Sequence, residues 1–161
     1  MGAKKSAAHW ASYLVRQGNV DAKTSTQIGI RGNPRTLDWL KPSYDLGYQV
    51  ITMNEFQTIG LKKSSEKILS RLGDEPIYVT FDLDCLDSSV APAAANIEPA
   101  FKGFSIDEAR KLLQSLKGKN IIGGDVACLI PTKDYRNNIT SMVAASIMFE
   151  IISLISVNLR K

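Results

Sequence analysis

The chain is poor in cysteine. Cys85 and Cys128 are the only two, far apart and without zinc-type spacing, so neither a disulfide framework nor a thiolate metal cage is encoded. They read as free thiols of a reducing compartment, cytoplasm or mitochondrial matrix. The amino end lacks the basic-then-apolar order of a secretory signal. Net charge is +4, yet the lysines and arginines are scattered and never interleaved with aromatics, so no nucleic-acid partner is expected. No apolar run reads as a membrane span either. Met142 to Val157 is strongly apolar, but Ser146, Glu150 and Ser153 form a narrow polar stripe at helical spacing, which describes a mostly buried helix. Repeats, low-complexity tracts and dividing linkers are absent.

What is present is a hydrophobic content of 44%, enough for one domain with a core. Residues 1–6 read as a flexible start and 7–161 as a single domain. Helices are expected over 7–17, 65–72 and 106–116, the last opened by the Ser105-x-x-Glu108 capping box. Strands are expected over 26–31, 48–53, 77–82 and 121–126, with a single helical turn over 37–40. Thr140 is the expected N-cap of a final helix reaching about Val157. Strands alternating with helices imply parallel pairing, with ligands beyond the carboxyl ends of the strands. Asp82, Asp84 and Asp125 are expected there.

The centre of the sequence is Tyr78-Val79-Thr80-Phe81-Asp82-Leu83-Asp84-Cys85-Leu86-Asp87. A β-branched and aromatic run reads as a buried strand. Residues two apart on a strand share a face, so Asp82 and Asp84 are expected to project side by side from its end. Two carboxylates that close repel unless a cation or a shared proton lies between them, and a hard divalent cation is the simplest remedy. The plainer reading is one capping aspartate and two solvated ones. The loop 83–104 that follows is long for a compact domain and so a functional candidate.

With Ala91-Pro92 and Glu98-Pro99 added, this stretch resembles the signature of the ureohydrolase family, the arginases and agmatinases. Gln27-Ile28-Gly29-Ile30-Arg31-Gly32 resembles an agmatinase-type strand. Gly124-Asp125-Val126 with Pro131 and Asp134 resembles a later family block, and Asn138-Ile139-Thr140 opens a matching last helix. The resemblance implies a three-layer α/β/α fold with a mainly parallel sheet, of which this chain supplies the later strands. It implies hydrolysis of a guanidino compound, agmatine favoured over arginine, to urea and an amine, by water activated between two manganese ions. Asp82 and Asp84 resemble metal ligands, and Glu98 the acid that pairs with the guanidinium. His9, the only histidine, lies two residues from the position of the family's proton-shuttling histidine; a surface or packing histidine is the plainer account.

The glycine-rich part of the signature departs from the family: Ala93-Ala94-Ala95-Asn96-Ile97 stands in its place. Cys128 and Ile130 stand where a glutamate and an asparagine would be. The segments that carry four of the family's six metal ligands have no counterpart here. The strand that normally separates 26–31 from 77–82 is missing with them. The expectation is therefore a chain inactive or nearly so by itself, holding at most one weak manganese ion. A complementing polypeptide or a homo-oligomer is the expected partner, beside a small guanidino substrate. Two other readings stand beside this one. In the first, the chain is a non-catalytic structural or interaction subunit. In the second, Asp82 and Asp84 are nucleophile and general acid of a haloacid-dehalogenase-type phosphatase with magnesium.

Overall fold

The computed structural model describes residues 9–34 and 36–159; the expected flexible start at 1–6 lies outside them. The chain runs α1 (Trp10–Arg16), β1 (Thr26–Ile30), α2 (Lys41–Leu46), β2 (Gln49–Thr52), α3 (Met53–Arg71), β3 (Ile77–Asp82), α4 (Ile106–Gln114), β4 (Ile121–Ala127) and α5 (Ile139–Asn158). Every expected strand is present. The helical expectations needed three corrections, each with a local cause.

The single turn expected over 37–40 leads into α2. Pro42 in the first turn fixes a helical φ, and Gly47 closes the helix in the left-handed region at φ +97°. Helix α3 begins twelve residues before the expected 65–72. Thr52 caps it by accepting from the Glu55 N–H, and Gly60 kinks it at φ +79°. At α5 the N-cap is Asn138, not Thr140. Thr140 is buried, and its hydroxyl accepts from the Ala93 N–H at 3.1 Å, tying the helix to the loop after β3. The free N–H groups of α5 are met instead by Asp134. Its carboxylate accepts from Thr140 N and from Ser141 N and Oγ at 2.8–3.1 Å. The capping box of α4 forms as expected, with Ser105 and Glu108 bonding reciprocally.

β1 pairs with β2 and β3 with β4, both in parallel. Among the described residues no ladder joins the two pairs, so the sheet is split into two ribbons. One core nevertheless spans both. Ile28 and Ile51 of the first ribbon and Phe81 and Ile121 of the second pack in one cluster with Phe56, Leu83, Phe104, Leu113 and Ile151. Phe104 is the bridge. It meets Phe56 edge to face with centroids 4.7 Å apart, and its ring lies so close to Gly29 that a Cβ there would come within 2.3 Å. Burying such a ring contributes about 2–3 kcal/mol.

Helix α5 corrects another expectation. Its buried side, Ile147, Ile151 and Leu154, packs against β4, where Ile151 fits over Gly124. Its other side is not buried: Met142, Phe149 and Ile152 are exposed, Phe149 by 69%. Ile139–Val157 is long and apolar enough by length and composition to cross a membrane, and is not the mostly buried helix its serines suggested. Glu150 of the polar stripe bonds Arg110 and Gln114 of α4.

Candidate functional site

The site lies where β3 ends. Asp82 is the last residue of the strand, and its Oδ1 accepts from the Asp84 N–H at 2.9 Å, folding residues 83–85 into a tight turn. That turn brings the second carboxylate back beside the first. One ligand atom each from Asp82, Asp84 and Cys128 then lie within 4.8 Å of one another. The two aspartate oxygens converge as expected, but through this turn and not through strand periodicity, because the strand ends at Asp82. Cys128 was not expected there. It follows the end of β4, the strand in register with β3, and takes a left-handed φ of +67°. The cross-strand register was the missing signal: Asp82 pairs with Ala127, so the next residue of β4 falls beside the aspartates.

Asp125, expected at the same end, lies two residues earlier. It is in register with Thr80 and accepts from the Thr80 hydroxyl at 2.8 Å. It also hydrogen-bonds Tyr78, raising the Tyr78 hydroxyl's pKa. Asp125 therefore belongs to the strand face and not to the cluster.

Asp84 is held from the loop. Its Oδ1 accepts from the Asn96 N–H at 3.0 Å and its Oδ2 from Asn96 Nδ2 at 2.6 Å. The alanine run that replaces the family's glycines places Asn96 for this contact. The Ala93 carbonyl accepts from Ile130 N, and Ala95 N donates to the Cys128 carbonyl, pinning the run to the chain after β4.

Arg31, at the end of β1, fixes the rest of the loop. Its guanidinium donates to four backbone carbonyls: Asp84 at 3.2 Å, Leu86 at 2.6 Å, Glu98 at 2.8 Å and Phe101 at 2.6 Å. No other side chain described here makes as many bonds between the two ribbons. The sequence showed Arg31 only as part of a strand motif. Glu98 is half-buried, and its carboxylate lies over Gly32, where a Cβ would come 3.0 Å from Oε1. It is outside the Asp82–Asp84–Cys128 group. His9 is exposed at the start of α1, beside the smaller cluster of Ala22, Tyr48 and Val50. It does not enter the acidic group either.

Burial pushes the Cys128 thiol up to about 12, with hydrogen bonding and charge from Asp82 and Asp84 adding to the shift. Burial does the same to Cys85, reinforced by Asp82. Both are neutral thiols near pH 7.

Two carboxylates and a protonated thiol do not fit a pair of manganese ions. The group holds no imidazole, and three of the four carboxylate oxygens already accept protein hydrogen bonds. Hard divalent cations take six or more oxygen ligands, including water. The residues present are one wall of such a site.

Comparison with known proteins agrees with the sequence resemblance. Residues 1–153 match the arginase family. A mouse protein named guanidino acid hydrolase, mitochondrial, is 30% identical over 138 residues, which cover 86% of this chain and 38% of the mouse protein. An agmatinase of Neisseria meningitidis serogroup C is 34% identical over 139 residues, 86% of this chain and 42% of that enzyme. The solved structure of proclavaminate amidino hydrolase from Streptomyces clavuligerus superposes with a TM-score of 0.82 at 28% identity, over 92% of this chain and 47% of that one. The chain thus spans less than half the length of these relatives. Over the superposed part it has their α/β fold.

Proposed function

We propose, from the premise that this chain belongs to the arginase family, that it carries the carboxylate wall of a guanidino-compound hydrolase centre and is inactive, or nearly so, until the opposite wall is supplied. The observation that supports this reading is the convergence of the Asp82 and Asp84 oxygens at the carboxyl end of β3. In this reading Asp82 and Asp84 hold manganese, and Glu98 pairs with a planar guanidinium cation, agmatine being the favoured substrate. Products are urea and an amine. Membership in this family leaves the phosphatase reading without support.

The experiment is urea release from agmatine, arginine and guanidinopropionate with added manganese. The purified 161-residue chain is expected to release none above the uncatalysed background. The same chain joined to the part of a relative that it does not span is expected to release urea from one of the three. Asp82→Asn is expected to abolish that activity. Turnover by the isolated chain, or activity unaffected by Asp82→Asn, refutes the reading.

A second reading has its own observation. Asn96 occupies both Asp84 oxygens and the Cys128 thiol faces the aspartates, so the acidic group is already satisfied within the protein. A non-catalytic interaction subunit would look like this. It predicts that the joined protein folds and still releases no urea.

A further inference from the structure

Helix α5 carries a face that the core does not use. Ile147, Ile151 and Leu154 are buried, whereas Met142, Ala145, Ser146, Phe149 and Ile152 are exposed. Steps of three, one, three and three residues put these five on one stripe, opposite the buried one. Ser153 and Ser156 continue the stripe, half-buried. Met142 is 61% exposed, Phe149 69% and Ile152 54%. No charge lies on the stripe. Glu150 is the only charged residue of the helix; it sits at the edge and is paired with Arg110 at 2.7 Å. Two of the serines are satisfied from within. Ser146 Oγ donates to the Met142 carbonyl and Ser153 Oγ to the Phe149 carbonyl, each at 2.8 Å. Covering these groups strands no hydroxyl and desolvates no unpaired charge.

We propose that a second copy of this chain covers this face, its α5 running antiparallel to the first about a twofold axis at Phe149. The stripe complements itself in that arrangement. The axis sets Met142 opposite Ser156 and Ser146 opposite Ile152, a large side chain against a small one each time. Ala145 meets Ser153, and this small pair leaves room beside the two Phe149 rings. A parallel pair would set Met142 on Met142 and Ile152 on Ile152, with gaps at Ala145 and Ser146. Antiparallel macrodipoles also attract. Size agrees with a modest dimer. With Ile139 and Val157 at its ends, the stripe offers roughly 500 Å² per copy, so a pair buries roughly 1,000 Å², the lower limit of a specific interface. Two observations set the copy above a lipid surface. The helix has no lysine or arginine to meet headgroups. And spanning a bilayer would strip Ile147, Ile151 and Leu154 from the core they complete. The inference does not depend on the acidic group at the end of β3, so urea release tests that centre and association tests this face.

The experiment is sedimentation equilibrium of the 161-residue chain. A reversible monomer–dimer equilibrium is expected between about 1 and about 100 µM, as for interfaces at this size limit. Phe149→Glu sets two carboxylates against each other on the axis and is expected to raise the dissociation constant by about a hundredfold or more. Phe149 is exposed, so the circular dichroism of that variant is expected to match the parent's. Cross-linking reads the orientation without adding charge. Met142→Cys mixed with Ser156→Cys is expected to give a mixed disulfide dimer under copper–phenanthroline, whereas each variant alone is expected to give no more than the parent chain. Four results overturn the inference. The chain stays monomeric at about 100 µM. The dimer survives Phe149→Glu. Met142→Cys cross-links to itself, meaning that the helices run parallel. Or the monomer binds phosphatidylcholine vesicles and loses them on Phe149→Glu, meaning that lipid covers the face.

Discussion

Replacing Arg31 by lysine keeps the charge and removes the fork. The guanidinium donates to four carbonyls that lie 53 to 70 residues away in sequence. An ammonium on a shorter, flexible stem reaches one or two of them. Hydrogen bonds to a charged group contribute about 1.5–3 kcal/mol each when buried. These are part-buried, and water recovers a share of what is lost, so the expected cost of Arg31→Lys is about 2–4 kcal/mol. Against a typical total of roughly 5–15 kcal/mol this is a large fraction. With a urea m-value of about 2 kcal/mol/M it lowers the unfolding midpoint by about 1–2 M. Hydrogen exchange adds the location: the Arg31 bonds hold 84–101, so protection is lost there first while α4 and α5 keep theirs. Lys102→Ala, on the exposed surface of the same loop, serves as the control and shifts nothing. A loss below about 0.5 kcal/mol for Arg31→Lys, or a loss spread evenly over the chain, refutes the view that this residue joins the two ribbons.

Gly29→Ala puts a Cβ 2.3 Å from the Phe104 ring at φ +83°, and costs about 2–4 kcal/mol in urea unfolding; Phe104→Leu in the same chain recovers part of it if the clash is the cause. Asp134 titrates at about 2, below the usual 3.8, because the hydrogen bonds from Ser141 and Thr140 outweigh the opposing effect of burial. A depressed carboxyl stabilises the fold above its unfolded value, and that stability is lost as pH falls from about 4 to about 2. Stability of Asp134→Asn, followed by circular dichroism, is therefore lower at neutral pH and flatter across that window. The Cys128 thiol, at about 12, reacts slowly with iodoacetamide at pH 8, and Asp82→Asn accelerates the reaction by removing a negative neighbour; an unchanged rate in mass-spectrometric labelling refutes the contact.

Local chemistry made much of this protein legible in its sequence. The run from Ile77 to Asp82 is a strand because its residues are β-branched or aromatic, but the Asp82 and Asp84 oxygens meet through the tight turn over 83–85, which the period of two did not foresee. Ser105 and Glu108 define the start of α4 because a helix must satisfy its first N–H groups. Other features depend on residues far apart in the chain, and no local rule reaches them. Cys128 joins the aspartates through the register of β4 on β3. Arg31 meets its carbonyls only once the loop has closed over β1. Thr140 looks like a cap but is buried against Ala93, and the serines of α5 suggested burial that no neighbour provides. Sequence settled which atoms this chain can offer to a cation. Tertiary packing decided which of them meet and, among the described residues, left the two ribbons without a ladder between them, because strand pairing is a contact between distant segments that no local pattern specifies.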